Sequence, residues 1–417
     1  MTPIKFQTSP QIRVYPYRWV VLSAYAVITA IIEIQWLTFA PIAREARSIY
    51  QVSAMGIDLL SMIFMLVYLV VCIPASYVID TWGIRRGIGA GAVLTGLFGM
   101  LKGLFPNDYT LVVTAQIGLA VAQPFILNAA TKVASQWFPL TERALAVGIA
   151  TLSQFVGIII VMVATPLMLT RTPDGGYDLS NMLMTYGVIS LVGTVLLLGL
   201  LKEKPPTPPH AEQEVLLGVF KGLGHIMRQR DMRYVLPMFF FGLGTFNAVS
   251  TCIDQICQLK GLTMDQTGHV GGIMLLAGLV GALILPLLSD KLRKRKAFIV
   301  LAMALSAPGL VGLTFADNYL LLLAASFVMG FFLLGAGAPV GFQYSAEVTR
   351  PAPESTSQGL LLLLGQLSGI LFILGMNVMG MAAAMRIFIW LAAANIILSL
   401  WLNESKMIMN GERNERH

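Results

Sequence analysis

Charged side chains are scarce in this chain: Asp, Glu, Lys and Arg make up only 12% of its 417 residues. A typical soluble domain has about twice that share, because a surface that faces water needs charge. In contrast, 56% of the residues are hydrophobic and the mean hydropathy is +0.75. The shortage of charge therefore excludes a soluble protein and indicates a polytopic membrane protein.

Metal-binding and redox residues are also few. The chain has three Cys, with no C-x-x-C pair, and four His, none of which falls in the middle of an apolar run. The glycine-rich stretches lack the Lys of a nucleotide-binding P-loop. We therefore expect no metal site, no cofactor and no nucleotide-driven pump. We also find no nucleophile with its base and no paired carboxylates, so we expect no enzyme.

Long apolar runs fill most of the sequence. Runs of about 20 residues match the ~30 Å hydrocarbon core of a bilayer, and they are too long and too uniform for barrel strands. Helices are expected, because backbone groups that face lipid must be hydrogen-bonded within the segment. We predict an all-α integral membrane fold with twelve transmembrane helices. The predicted spans are 18–41, 54–79, 87–104, 109–134, 143–168, 181–201, 233–259, 266–289, 297–315, 319–344, 355–380 and 383–403.

Lys and Arg are distributed unequally between the two sides of the predicted membrane. One side carries the basic residues of the N-terminus, of 202–232, of 291–296 and of the C-terminal tail, whereas the other side has six. Because positive charge accumulates in cytoplasmic loops, we predict that both termini are cytoplasmic. The net charge of +7 then reflects the Lys and Arg of cytoplasmic segments. We therefore expect no nucleic-acid partner. Short loops favour a multi-pass protein of a prokaryotic plasma (inner) membrane.

The two halves of the chain resemble each other. A Glu, a Gln and a Gly recur at the same spacings in 142–158 and 354–370, about 210 residues apart, which indicates a parallel internal repeat. Between the halves lies the one long polar interval, which begins with a Pro-rich break and continues in an amphipathic pattern. We predict an N-terminal six-helix bundle (1–201), a cytoplasmic linker with an amphipathic helix (202–232), and a C-terminal six-helix bundle with a short tail (233–417).

The segment YVIDTWGIRRG (77–87) resembles the loop motif between the second and third spans of the major facilitator superfamily. Asp80, Arg85 and Arg86 occupy motif positions, although Thr81 stands where an Arg usually follows the acid. The resemblance implies that the three charged residues clamp cytoplasmic helix ends together as a gate. A solvated topology loop is the alternative interpretation.

A narrower resemblance is to the FLVCR family of this superfamily, which is linked to choline, ethanolamine and haem. The segments that carry it are IQWLTFAPI (34–42), 57–86, AVAQPFILNAATKVASQWFP (120–139), VSTCIDQI (249–256) and 342–372. The resemblance implies a central aromatic-and-amide substrate site, which maps onto the positions Trp36, Gln123, Phe246 and Gln366. Asn247 stands where the family has a Tyr, and the acids Glu33 and Asp254 stand where the family looks neutral.

The residues also indicate a central site by themselves. Trp36 lies in the middle third of span one, Asn247 is its equivalent in the repeat, and Gln123 and Gln366 are far from their helix ends. Amides at membrane depth are costly unless they face a partner or a water-filled cavity, so they either join helices or line a site. Because these positions come from both halves, we predict a substrate site at the interface between the halves. A Trp there suits a quaternary or protonated amine.

Glu33 lies 15 residues beyond Arg18, which is about 22 Å along span one and past the middle of the membrane. Its carboxylate is too deep to reach the headgroups and shares a helix face with Trp36. We predict that Glu33 carries a coupling proton, with Asp254 as a shallower second candidate that could instead serve an external gate. The alternative is a protonated Glu33 that is hydrogen-bonded within the bundle.

These patterns favour a secondary active transporter that works by alternating access as a proton symporter or antiporter. The leading substrate class is a small organic cation or amine, including choline-like compounds. The alternatives are a larger amphipathic compound such as a porphyrin or drug, and a neutral or anionic metabolite. The expected partners are this small-molecule substrate, a proton and the lipid bilayer, and we expect the chain to act as a monomer.

Overall fold

A computed structural model describes residues 14–139, 142–173, 175–207, 219–350, 352 and 354–405 of the chain. The helices of the first half are α1 Tyr17–Trp36, α2 Ala43–Tyr50, α3 Ala54–Trp82, α4 Ile84–Leu104, α5 Tyr109–Leu127, α6 Ala130–Trp137, α7 Arg143–Met168 and α8 Ser180–Leu200. Those that follow are α9 Val219–Arg228, α10 Met232–Thr251, α11 Ile253–Gln258, α12 Met264–Leu292, α13 Arg295–Phe315, α14 Tyr319–Met329, α15 Ala338–Val348, α16 Glu354–Met379 and α17 Met381–Leu400. A two-stranded antiparallel pair, β1 Thr170–Arg171 and β2 Tyr177–Asp178, joins α7 to α8.

Eleven helical segments in the described part are long and apolar enough to cross a membrane. The predicted all-α membrane fold is therefore confirmed at this level. The predicted span 233–259 is not among the eleven, although α10 is as long as α17; α10 ends at Thr251, and a short helix, α11, follows after Cys252. Polar side chains at Asn247 and Asp254 interrupt the apolar run there.

The same structural features recur about 210 residues apart. Ser53 accepts a hydrogen bond from a backbone N–H in the first turn of α3, and Thr263 does the same for α12. Asp108 caps α5 and Asn318 caps α14 in the same way. Side chains of this type satisfy N–H groups that have no partner within the helix, and thereby fix where each helix begins. The matching caps support the internal repeat.

Four spans are irregular, and they correspond in pairs between the halves. The first span breaks at Leu37 after α1, and the seventh breaks at Cys252 after α10. The fourth breaks at Asn128 between α5 and α6, and the tenth contains a π-helix, Gly330–Gly337. Irregular backbone at membrane depth is tolerated where protein or a water-filled cavity surrounds it. These four spans are therefore candidates to line a cavity.

Two carboxylates anchor the chain at one end of the molecule. We call the end that holds 202–207 and α9 the linker end, and the opposite end the far end. At the linker end, Glu203 accepts hydrogen bonds from the backbone N–H groups of Ile84 and Arg85 at the start of α4. Glu404 accepts from Arg295 and Lys296 at the start of α13. A carboxylate at a helix N-terminus is favourable, so each half anchors the segment that follows its last span.

The linker contains one helix in its described part, α9, in which Ile226 is fully buried and Leu223 is 36% exposed. Val215 and Leu216, two apolar residues of the predicted amphipathic pattern, lie outside the described residues. The helix contacts α10 and α16, so it packs against the second half.

The two halves meet along two helix pairs, α7 with α12 and α3 with α16. A Cβ on Gly268 of α12 would stand 2.7 Å from the carbonyl oxygen of Met162 in α7. A Cβ on Gly369 of α16 would stand 2.9 Å from the Sδ of Met65 in α3. A side chain at Gly268 would push the halves apart, because it meets backbone, whereas one at Gly369 would also meet Cβ of Asn247 in its own half at 2.9 Å.

Candidate functional site

Glu33 is buried in the middle of the first half, with 3% of its surface exposed. Gln123 of α5 donates a hydrogen bond from Nε2 to its Oε1, at 3.4 Å. No ion pair to Glu33 occurs among the described residues. The structure thus brings two of the predicted site residues together and leaves the carboxylate without a fixed cation.

Trp36 lies one helical turn beyond Glu33, at the last residue of α1, and is 7% exposed. Its indole Nε1 donates to the carbonyl oxygen of Ser61 in α3 at 3.1 Å, and the Ser61 hydroxyl donates to the carbonyl oxygen of Trp36 at 3.3 Å. This reciprocal pair fixes the ring against α3. An aromatic side chain one helical turn from a buried carboxylate is suited to bind a cationic group.

Lys102, one of the six basic residues that the sequence assigns to the outer side, is fully buried. Its ammonium donates to the Thr38 hydroxyl and to Gln116 Oε1, each at 3.2 Å, and lies 5.5 Å from the centre of the Phe39 ring. A cation near the C-terminal end of a helix is favourable. Lys102 therefore stabilises the break that ends α1 and, through it, the position of Trp36.

The second half contributes Asn247 on α10 and Gln366 on α16. Asn247 is 7% exposed and donates from Nδ2 to the carbonyl oxygen of Gly365 at 3.1 Å. Gln366 is half-buried, three turns along α16 from Asn377, so both lie on one face of the helix. Asn377 bonds to the first half, and Gln366 consequently faces the first half as well.

Phe246 is a buried residue of α10, with 7% of its surface exposed. It lines a cavity of about 30 Å³ inside the second half, between α10, α13 and the π-helix. A second cavity of about 20 Å³ adjoins it and contains the polar side chains of Thr245, Ser306 and Asn395. Each volume suits one or two waters rather than an organic solute. A direct contact between Phe246 and a substrate therefore stays a prediction.

Asp254 forms a close ion pair with Arg44 of the opposite half at the far end. The Arg44 guanidinium approaches Oδ1 to 2.7 Å, and its backbone N–H donates to Oδ2 at 2.8 Å. Arg44 also donates to the carbonyl oxygen of Leu262 at 3.1 Å. Of the two roles considered for Asp254, this pairing favours the external gate over proton transfer.

The predicted cytoplasmic gate residues lie at the linker end. Asp80 has a side chain that is 66% exposed and contacts Lys132 of its own half at 3.4 Å. Arg85 and Arg86 are both exposed. In the second half, by contrast, Arg295 bonds to Asp290 and contacts Glu347 at 3.1 Å. The clamp that holds cytoplasmic helix ends together stays a prediction for a different conformation, in which the linker end is closed.

Reversing the charge of Asp80 tests that clamp. We expect Asp80→Lys to lower transport at least tenfold while the protein stays in the membrane, because the clamp stabilises one of the two states that the cycle needs. The measurement is initial uptake rate per molecule of inserted protein. Adding Lys132→Asp restores only the ion pair within the first half. If Asp80→Lys alone transports at the wild-type rate, Asp80 belongs to a solvated loop. If only the double variant does, transport needs the ion pair with Lys132 and the proposed clamp is wrong.

The sequence of the whole membrane region matches one known family. The description "Major Facilitator Superfamily" matches residues 21–373 and, in a second overlapping match, residues 256–406. The chain belongs to the major facilitator superfamily. It is thus a multi-pass membrane transporter rather than an enzyme, as the sequence predicted.

Curated relatives confirm the narrower resemblance. The chain is 30% identical to solute carrier family 49 member A3 of Danio rerio, over 88% of this chain and 80% of that protein. It is 29% identical to the human choline/ethanolamine transporter FLVCR2, over 87% of this chain and 72% of that protein. It is 28% identical to the choline/ethanolamine transporter FLVCR1 of Felis catus, over 94% and 72%.

Solved structures confirm the fold. A bacterial homologue of the human lysosomal transporter Spinster, in an inward-facing and unoccupied conformation, superposes with a TM-score of 0.75 at 14% identity, over 93% of this chain and 97% of that one. A D-xylose-proton symporter gives a TM-score of 0.71 at 13% identity, over 94% and 99%. At these identities the likeness concerns the architecture alone.

Proposed function

We propose that this transporter moves a small organic cation or amine, such as a choline-like compound, by alternating access. The observation that carries the proposal is the buried Glu33 carboxylate, which has no ion pair among the described residues and lies one turn from Trp36. A cationic substrate would supply the missing positive charge and stack on the indole. The relatives described as choline/ethanolamine transporters support the same substrate class.

We further propose that a proton competes with the substrate for Glu33. A carboxylate that is taken out of water without a partner is costly in its charged form, so it gains either a proton or a cationic ligand. Only one of the two can occupy the group at a time. Such competition couples substrate release to proton binding and is a simple route to exchange.

The proposed architecture is twelve spans in two six-helix bundles, with α10 and α11 together as the seventh span. The far end then faces the outside, both termini face the cytoplasm, and the protein acts as a monomer in the plasma membrane. Hydrogen bonds join the halves at the far end, among Arg44, Asp58 and their partners. This arrangement corresponds to a state in which the outer side is closed.

A ligand screen by thermal stability tests the substrate class. Purified protein is heated with quaternary amines, primary amines, carboxylates, neutral metabolites and haem in separate samples. We expect stabilisation by choline-like amines, since a ligand at 100 times its dissociation constant adds about 2.7 kcal/mol. Stabilisation by haem, by a carboxylate or by a neutral metabolite, without any by amines, would overturn the proposal.

A further inference from the structure

The carboxylate of Asp58, near the start of α3, receives hydrogen bonds from two spans of the opposite half. Gln255 of α11 donates from Nε2 to Oδ1 at 2.6 Å, and Asn377 of α16 donates from Nδ2 to Oδ2 at 2.7 Å. The thiol of Cys252 lies 3.6 Å from Oδ2. Asp58 is 1% exposed. The acceptor thus comes from one half and these three donors come from the other.

These donors are neutral. The nearby guanidinium of Arg44 is bound by Asp254 and by the carbonyl oxygen of Leu262, and no ion pair to Asp58 occurs in the described part of the chain. Hydrogen bonds to a charged acceptor are stronger than those between neutral groups, and a buried donor that loses its acceptor is costly. The closed far end is therefore the state in which Asp58, Gln255 and Asn377 satisfy one another.

We propose that Asp58 is a positioning residue for transport: its carboxylate holds the far end closed, and opening must replace its hydrogen bonds across the halves with water. The inference rests on the proposed function, since it requires the two halves to move relative to each other. It adds a residue that acts on the equilibrium between the two states and does not touch the substrate. Breaking the cluster should shift the equilibrium towards the open far end.

Cys252 provides a built-in reporter of that opening. Its thiol is fully buried between the halves in the closed state and becomes accessible when Gln255 and Asn377 leave Asp58. Labelling by a small maleimide in detergent needs no knowledge of sidedness. Cys72→Ala and Cys257→Ala remove the other two thiols, so that the labelling rate belongs to Cys252.

We expect Asp58→Asn to increase the labelling rate about tenfold, since one charge-assisted hydrogen bond is lost. The new amide keeps the size of the side chain but offers a single acceptor oxygen to two facing amide donors. Asp317→Asn is the matched control, because it makes the same chemical change on a side chain that is 93% exposed. Labelling of Asp58→Asn at the rate of this control would overturn the proposal.

Exchanging the carboxylate of Asp58 with the amide of Gln255 distinguishes the proposed gate from a general loss of packing. In Asp58→Asn combined with Gln255→Glu, the new amide can donate to the new carboxylate and accept from Asn377. We expect labelling to return to within about threefold of the wild type, because the charge-assisted pair is restored. If the double variant labels as fast as Asp58→Asn alone, the proposal is wrong.

A second variant and a measurement of amine uptake complete the test of Asp58. Should Asp58→Asn fail to fold, Asn377→Ala removes one donor and leaves the carboxylate, and it should still accelerate labelling; a wild-type rate would overturn the proposal. Accelerated labelling in a protein that transports no amine supports the gate and overturns only the proposed substrate. Wild-type labelling in Asp58→Asn together with normal amine uptake overturns the gate alone.

Discussion

Replacing Glu33 by Gln should abolish the pH dependence of transport while substrate-dependent exchange continues. In the wild type, amine binding should tighten as pH rises, because fewer protons then compete for the carboxylate. Gln keeps the hydrogen-bonding geometry towards Gln123 but cannot bind a proton at these pH values. Loss of the charge should also weaken amine binding about tenfold or more, as for a charge-assisted hydrogen bond. The measurement is amine affinity and exchange rate in proteoliposomes across a pH series.

Asp317→Asn is again a suitable control, since this exposed carboxylate pairs only at the surface with Lys260. It should leave the pH profile unchanged. A Glu33→Gln protein that keeps pH-driven uptake would show that Glu33 has a structural role, and that any coupled proton uses another route.

Truncating Trp36 to Ala should weaken amine binding roughly 2- to 30-fold, the range that a cation–π contact supplies. Trp36→Phe keeps an aromatic face and should lose less. Gln366→Ala should weaken binding from the opposite half, because Gln366 lies on the face of α16 that points to the first half. Affinity is measured by titration of the purified protein with a labelled quaternary amine.

Trp390 is the matched control for the loss of an indole, because it is 76% exposed on the outside of α17. Trp390→Ala should bind amine with the wild-type affinity. The predicted site is wrong if Trp36→Ala and Gln366→Ala both bind as tightly as this control.

Apolar run length was enough to predict the membrane-spanning helices, because the bilayer demands a fixed length and internal backbone hydrogen bonds. Run length could not predict where helices break. The breaks at Leu37 and Cys252 depend on tertiary contacts, such as the bonds from Lys102 to Thr38 and Gln116. The seventh span is the clearest case: Asp254 pairs with Arg44 of the other half, and Asn247 donates to the carbonyl oxygen of Gly365 within its own half. These polar residues interrupt the apolar run.

The candidate site was predictable only where its residues lie on one helix. Glu33 and Trp36 share a helix, so their proximity follows from helical spacing alone. Asp58 carried no such signal, because its partners Gln255 and Asn377 lie 197 and 319 residues away in the sequence. An isolated acid near a helix start is ordinarily an exposed N-terminal residue, and only the packing of the halves buries this one.

Competition for uptake tests the central claim most directly. Proteoliposomes containing the wild-type protein take up a labelled quaternary amine in the presence of excess unlabelled primary amines, carboxylates, neutral metabolites or haem. We predict saturable uptake that quaternary and primary amines inhibit and the other compounds do not. Saturable uptake of a carboxylate, a neutral metabolite or haem, with no saturable uptake of any amine, would contradict the account.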